Sequence, residues 1–223
     1  MTKRVLVLVE GQTEERFVKS VLAPAYEDRE LYFFPTLLVT KRVKDGPNFK
    51  GGVTKFAKFR DDAARLLADS GDALVTTVID YYGLPLDFPG MDTRPNGSPL
   101  ERVRHVQDAV HKHFKSPKRF LPFLALHEFE AWLFASTNVL PSVMTSRDKE
   151  GQFAAIRAQF STPEAINEQP NSAPSKRIEQ LFPGYKKVLH GPITALRIGL
   201  PTIQAECPHF AEWIEKLEEY AAT

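Results

Sequence analysis

An apolar run without a polar interruption, residues 5–9, is the feature that most constrains how this chain can fold. A strand with one face in water alternates apolar and polar residues, so a continuous run indicates a strand covered on both faces. Similar runs follow at 31–39 and 72–80. Amphipathic helical patterns separate these runs, one that Thr13 is expected to cap and a second over 55–69. The first 80 residues therefore predict strands that alternate with helices.

The alternation continues to about residue 135. Ser98 and Pro99 carry the signals of a third helix start, and residues 119–135 indicate a fourth strand that passes into a helix. Alternating strands and helices predict a parallel sheet with helices on both faces. Pro35, inside the second apolar run, indicates an edge strand or a bulge, because proline cannot donate to a ladder.

The pattern changes beyond residue 136, where short helical stretches lie between loops that contain Pro and Ser. We therefore predict two units. The first is an α/β domain with a mostly parallel sheet over residues 1–136, and the second is a helical C-terminal lobe over 137–223. A chain of 223 residues is long enough for one domain and such an appendage.

Composition narrows the class of protein. The chain is 43% hydrophobic and 26% charged, which is typical of a soluble globular protein, and no apolar run approaches the ~18 residues that a membrane span requires. Its one cysteine, Cys207, excludes an internal disulfide and a multi-cysteine zinc site. The start of the sequence lacks the pattern of a signal peptide, so we expect a cytoplasmic protein.

Carboxylates follow the predicted strands. Glu10 ends the first strand and Asp80 the third, and the carboxyl ends of parallel strands are where open sheets bind ligands. Glu14 lies one helical turn beyond Glu10 and can point back to the same crevice. Glu128 and Glu130 lie near the end of the fourth strand and share a face if that stretch is extended. The sequence therefore predicts an acidic crevice at one edge of the sheet.

Several carboxylates in one crevice repel one another unless a cation compensates, and oxygen ligands suit Mg²⁺ or Mn²⁺ better than zinc. Simpler roles stay open: Glu14 as a partner of the helix dipole, and Asp80 as a loop cap. The chain has no GxxxxGK[ST] or GxGxxG phosphate motif, "HEFEA" is not HExxH, and there is no GxSxG.

The segment "VLVLVEGQTEERFV" resembles the opening motif of the Toprim domain, above all in overcoming-lysogenization-defect (OLD) nucleases. The whole chain resembles a family of uncharacterised bacterial Toprim-like proteins. The matching motifs are "EGQTEE", "DYYGLPLDFPG", "LHEFEAWLF", "TPEAIN", "PSKRIEQLFPGYKK" and "CPHFAEWI". This resemblance implies a Toprim-like, Rossmann-like fold for the first domain.

Toprim enzymes carry a glutamate after the first strand and an Asp-x-Asp after the third, which bind metal or act in acid–base chemistry. By position, the resemblance implies these roles for Glu10 and Asp80, and the second acid of OLD-type proteins for Glu14. The second Asp is replaced by Tyr82, and Asp87 is an alternative if its loop folds back.

The resemblance implies a nuclease that needs Mg²⁺ or Mn²⁺ and hydrolyses phosphodiester bonds in DNA or RNA. It also implies an ATPase partner protein and a role in phage defence. Tyr82 favours a different class, a catalytically degenerate binding subunit of an ATPase or nucleic-acid complex. A third reading is a small-molecule phosphate-handling enzyme.

Two basic segments could meet a phosphodiester substrate. Residues 41–60 hold seven basic residues, Lys41, Arg42, Lys44, Lys50, Lys55, Lys58 and Arg60. The segment "PSKRIEQLFPGYKKVLHG" offers Lys176 or Lys186 to stabilise charge on the phosphate, and Ser175 as a cap that leaves helix amides free for it. Exposed, solvated lysines are the alternative in both segments.

Overall fold

The computed structural model describes residues 2–38, 53, 55–115, 117–166 and 170–223. Strands and helices alternate in the first part of the chain. The order is β1 (Lys3–Val9), α1 (Gln12–Phe17), α2 (Ala23–Tyr26), β2 (Leu31–Leu37), α3 (Phe56–Asp69), β3 (Leu74–Asp80), α4 (Pro99–His113), β4 (Phe120–Leu121) and β5 (Leu124–Ala125). A π-helical segment, Val18–Leu22, joins α1 to α2.

The regular structure described after β5 is helical. A 3₁₀ helix, Phe129–Ala135, follows β5 after a short loop. Then come α5 (Val139–Val143), α6 (Glu150–Arg157), α7 (Pro174–Leu181), α8 (Lys187–Ile198), α9 (Leu200–Glu206) and α10 (Pro208–Ala222). None of the helices in the described ranges is long and apolar enough to cross a membrane.

The sheet has the strand order β2-β1-β3-β4, with β5 beside the end of β3, and every pairing is parallel. The chain leaves β1 toward β2 on one side and returns to β3 on the other, so the topological switch point lies between β1 and β3. Strand β2 lies at an edge, as Pro35 predicts. The predicted α/β fold with a mostly parallel sheet is therefore confirmed.

Two hydrophobic cores cover the two faces of the sheet. One contains Leu8 and Ile79 together with the inward faces of α3 and α4. The other joins Val7 of β1 to Phe17 of α1 and to Trp213 of α10. Helices beyond residue 136 thus supply part of a core that β1 shares, and the boundary of a separate lobe at that residue stays a prediction.

Two local expectations are corrected. Helix α1 begins at Gln12 with Gly11 in the N-cap position, so Thr13 is not the cap and is instead buried inside the first turn. Residues 119–135 do not form one strand and a regular helix. They form two strands of two residues each and the 3₁₀ helix, because Pro122 separates β4 from β5 and its missing N–H cannot continue the ladder.

Ser98 caps α4 as the sequence predicts, and its effect can be measured. Its hydroxyl accepts from the Glu101 amide at 3.2 Å, and the Glu101 carboxylate accepts from the Ser98 amide at 2.7 Å. Ser98→Ala should lower the free energy of unfolding by about 1 kcal/mol, because one first-turn amide loses its partner. Urea titration measures this.

Ser20 is the matched control for Ser98. It is exposed, and its hydroxyl only donates back to the Arg16 carbonyl within the helix, at 2.6 Å. Ser20→Ala should leave stability unchanged or slightly raised, because alanine has the higher helix propensity. Equal losses in the two variants would contradict the capping role of Ser98.

Candidate active site

Glu10 and Asp80 meet at the carboxyl edge of the sheet. The Glu10 amide donates to the Val78 carbonyl at 3.2 Å, and the Asp80 amide donates to Glu10 Oε2 at 2.9 Å. The Phe129 amide donates to Asp80 Oδ1 at 3.2 Å. Both residues are half-buried, so part of each remains exposed at this edge of the sheet. This is the juxtaposition that the sequence predicts for the ends of β1 and β3.

Glu14 folds back over the same edge from the first turn of α1. Only 7% of it is exposed. A Cβ atom at Gly11 would lie 3.1 Å from Glu14 Oε2, so the missing side chain at the N-cap leaves room for this carboxylate. Glu15 differs, because it is ion-paired at 2.6 Å with Lys19 on the outer face of the helix.

Glu130 and Lys187 form an ion pair close to Asp80. The Lys187 Nζ lies 3.0 Å from Glu130 Oε2, and Tyr185 donates its hydroxyl to Glu130 Oε1 at 3.4 Å. The Glu130 side chain is 1% exposed, whereas that of Lys187 is 40% exposed. The lysine therefore bridges the buried acid and the surface.

Close packing of α8 on α1 brings Lys187 to this position. Gly191 follows Lys187 by four residues, on the same helix face. A Cβ atom at Gly191 would lie 3.0 Å from Phe129 Cε1 and 3.5 Å from Thr13 Cγ2. A larger residue here would force Phe129 of the 3₁₀ helix or α8 itself to shift, which would disturb the position of Lys187.

Glu128 does not share a face with Glu130, because the chain enters the 3₁₀ helix between them. Its Oε2 instead accepts from the Ser175 amide at 3.0 Å. The predicted anion site at the start of α7 is thus corrected, since Glu128 already uses the Ser175 amide. Glu128 fixes α7 to the loop before the 3₁₀ helix.

The two lysines that the sequence singles out are exposed. Lys176 pairs with Glu179 on α7 at 2.7 Å. Lys186 is exposed at the N-cap of α8, where its amide donates to His190 Nδ1 at 2.9 Å. Their proposed roles toward a phosphate stay predictions, and the lysine that the fold brings to the acids is Lys187.

Sequence reasoning missed Lys187, although it stands next to Lys186. The signal that could have identified it is its spacing on one face of a helix. Lys187, Gly191 and Ala195 are four residues apart, and the last two are buried. A small residue one turn after a lysine is typical of a close helix contact that draws the lysine inward.

Tyr82 and Asp87 occupy positions outside the acidic cluster. Tyr82 is exposed, and its amide donates to the His127 carbonyl at 3.2 Å. Asp87 accepts from the Phe56 amide at 3.2 Å and so caps α3. The loop therefore uses Asp87 to hold a helix start.

Most of the basic segment 41–60 lies outside the described residues, including Lys41, Arg42, Lys44 and Lys50. Lys55 is exposed at the N-cap of α3. Arg60 pairs with the neighbouring Asp61 at 2.8 Å.

Burial and mutual repulsion raise the pKa values of the acids. Burial raises the pKa of Glu10 to about 7, with a further contribution from Glu14, while the Asp80 amide and Lys187 oppose the rise. Burial, Glu10 and Glu14 raise the pKa of Asp80 well above its ordinary value. The pKa values of Glu14 and Glu130 are also raised, mainly by burial, and that of Glu130 reaches about 7.

Lys187 stays charged in this environment. Burial lowers the pKa of its ammonium, but Glu130, Glu128 and Asp80 outweigh burial and raise it above the ordinary value. Among the described residues, one lysine acts on these carboxylates, so their negative charge exceeds its positive charge and must be compensated by protons or by another positive group.

A protein-family model, described as Domain of unknown function (DUF4276), matches residues 9–218. The matched range contains every acid of the crevice and Lys187. No curated protein matches the chain, and no solved structure matches it.

The raised pKa of Glu10 predicts how stability depends on pH. With a pKa of about 7 when folded and 4.5 when unfolded, Glu10 binds more protons in the folded state between these values. The free energy of unfolding should therefore fall as pH rises through this window and level off above it. Relative to Glu10→Gln, wild type should lose on the order of 1–2 kcal/mol between about pH 5 and about pH 8.

Urea titrations in EDTA at several pH values measure this difference. The buried histidines titrate in both proteins and cancel. Glu15→Gln is the control for the loss of a carboxylate outside the crevice, because Glu15 pairs with Lys19 on the outer face of the helix. If the free energy of unfolding of wild type rose with pH relative to that of Glu10→Gln, the raised pKa of Glu10 would be contradicted.

Proposed function

This chain belongs to the family described as Domain of unknown function (DUF4276), and we propose that it is a divalent-metal-dependent nuclease. The observation that carries the proposal is the crowding of Glu10, Glu14 and Asp80 at the switch point of the sheet, each with a raised pKa. Such a group is stabilised by protons at low pH and by a bound cation at neutral pH. Phosphodiester hydrolysis is a reaction that cations held by carboxylates support.

The chemistry of the donors fits Mg²⁺ or Mn²⁺, because all of them are carboxylate oxygens. Glu10, Glu14 and Asp80 are the residues that would hold the cation, with Glu130 and Glu128 behind them. Within the described ranges, no three acidic, histidine or cysteine side chains are already arranged to hold a metal ion. Binding would therefore require side-chain rotation, and the Phe129 amide engages only one of the two Asp80 oxygens.

A bound cation would supply charge neutralisation at the phosphate and a water of lowered pKa. Lys187 supplies a positive charge that belongs to the chain itself. Its half-exposed ammonium lies beside the acids, where it can contact a phosphate oxygen while Glu130 holds its position. This assigns to Lys187 the role that the sequence suggests for Lys176 or Lys186.

Glu10 has a second role open to it. A general base works best when its pKa lies near the working pH, and burial raises the pKa of Glu10 to about 7. Glu10 could thus take a proton from the attacking water. The hydrogen bond from the Asp80 amide fixes the carboxylate for this purpose.

The resemblance of residues 5–18 to the Toprim opening motif supports the same assignment. If that resemblance reflects kinship with OLD nucleases, the substrate is DNA or RNA, and an ATPase partner and a role in phage defence follow by analogy. Strand order alone does not carry that step.

A second candidate is a binding subunit without catalysis, which docks on an ATPase or on nucleic acid. Two observations favour it. Tyr82 stands where the resemblance expects a second aspartate, and Asp87, the alternative, caps α3. In this case the acids would bind a cation weakly or not at all.

Glu10→Gln separates the two candidates. In wild type, Mn²⁺ at a hundredfold excess over its dissociation constant should stabilise the fold by about 2.7 kcal/mol, because it binds only the folded state. In Glu10→Gln this stabilisation and the nicking of plasmid DNA should both disappear. Thermal melts with and without Mn²⁺, run beside a nicking assay, measure both effects.

Glu15→Gln is again the control and should behave as wild type in both assays. Equal metal-induced shifts in wild type and Glu10→Gln would remove Glu10 from the metal site. A wild type with neither a shift nor nicking would favour the binding subunit.

A further inference from the structure

The loop between β3 and α4 displays two apolar side chains next to the acidic crevice. Tyr82 is 39% exposed and Leu86 is 73% exposed. Tyr82 follows Asp80 by two residues, so their Cα atoms lie within about 7 Å of each other. The loop therefore places an exposed aromatic ring at the same edge of the sheet as the carboxylates.

Buried anchors alternate with these exposed residues. Leu84 is 7% and Phe88 1% exposed, and Phe88 packs edge-on against Phe56 with ring centroids 5.0 Å apart. Gly83 has a φ of 85°, a conformation that lets the chain turn between Tyr82 and Leu84. The outward position of Tyr82 and Leu86 is thus built into the loop.

Backbone contacts fix both ends of this segment. The Tyr82 amide donates to the His127 carbonyl at 3.2 Å, and the Phe88 amide donates to the Pro85 carbonyl at 3.0 Å. Asp87, next to Leu86, holds the start of α3 through the Phe56 amide. A platform held in this way loses little conformational entropy when a flat ligand stacks on it.

Positive charge lies near both ends of residues 80–87. Lys55 is exposed and precedes Phe56, whose amide donates to Asp87, and Lys187 acts on Asp80. An exposed aromatic ring in a segment with a lysine near each end suits a ligand that alternates flat apolar rings with phosphates. Unpaired nucleic acid has this chemistry, because stacking needs a free base face.

We propose that Tyr82, with Leu86 beside it, is the stacking platform for an unpaired nucleobase next to the phosphate at the acidic crevice. This inference rests on the proposed phosphodiester site and names its substrate as single-stranded rather than duplex nucleic acid. In this arrangement Tyr82 selects single-stranded over duplex nucleic acid, and the carboxylates and Lys187 face the phosphate.

Binding of a short labelled oligothymidylate, followed by fluorescence anisotropy with Ca²⁺ in place of Mg²⁺, tests the proposal. Tyr82→Ala should weaken binding by about fivefold to a hundredfold, the range expected for loss of one stacked base. Tyr82→Phe should bind as wild type does, because the ring and not the hydroxyl makes the contact. Leu86→Ala should show a smaller loss than Tyr82→Ala.

Tyr32→Ala is the matched control. Tyr32 has the same side chain and is 38% exposed, but it pairs with Arg4 toward the opposite end of the sheet, so its loss should leave binding unchanged. An oligonucleotide with abasic sites should bind wild type as weakly as the intact one binds Tyr82→Ala. A duplex of the same length should bind wild type more weakly than the single strand.

Equal binding by Tyr82→Ala and Tyr32→Ala would overturn the proposal and leave the platform to a protein partner. Tight duplex binding, or no oligonucleotide binding by wild type, would overturn it as well. Cleavage of the same single-stranded oligonucleotide with Mn²⁺ decides the nuclease separately. A protein whose oligonucleotide binding depends on Tyr82 but which cleaves neither this strand nor plasmid DNA would support the platform and contradict the nuclease.

Discussion

Parallel pairing of β1 with β3 is the constraint on which the rest of the structure depends. The two strands are adjacent and run in the same direction, so both must end at one edge of the sheet. Glu10 and Asp80 are the residues at which they end, and an amide of one donates to the carboxylate of the other. Once the pairing is set, the two acids are neighbours. Later parts of the chain then add Glu130 and Lys187 to the charges around them.

The compensation comes from distant parts of the sequence. Lys187 reaches the crevice from α8, and Ser175 of α7 satisfies Glu128. These contacts join residues that are 57 and 47 positions apart in the sequence. They form only when the helices beyond residue 136 pack on the rest of the chain. The crevice is thus a property of the whole folded chain, since its acids lie in the first part and its lysine in the last.

Short sequence patterns predicted the features that depend on residues close together in the chain. Continuous apolar runs gave β1 and β3, Ser98 and Glu101 gave the start of α4, and the strand ends gave the meeting of Glu10 with Asp80. The choice of Lys187 over Lys186 depends on the helical phase of α8 and on the room that Gly191 leaves, which only tertiary packing fixes. Likewise, a single sequence does not show that Asp87 caps a helix 31 residues earlier. The prediction for residues 119–135 was also wrong. Their apolar pattern indicates one strand and a regular helix, but Pro122 divides the strand, and the helix is a 3₁₀ helix.

The balance of charge in the crevice argues that it is kept for function. Apolar residues of similar volume at a buried ionic site often leave a protein as stable or more stable. Here burial raises the pKa values of Glu10 and Glu130 to about 7, so keeping them ionised at neutral pH works against folding. Acids whose ionisation works against folding, gathered at the edge where open parallel sheets usually bind ligands, support the proposal of a functional site. Lys187 and Glu130 alone would make a neutral pair. Glu10, Glu14 and Asp80 exceed what that pair can neutralise, so among the described residues their remaining charge is left to protons or to the cation proposed above.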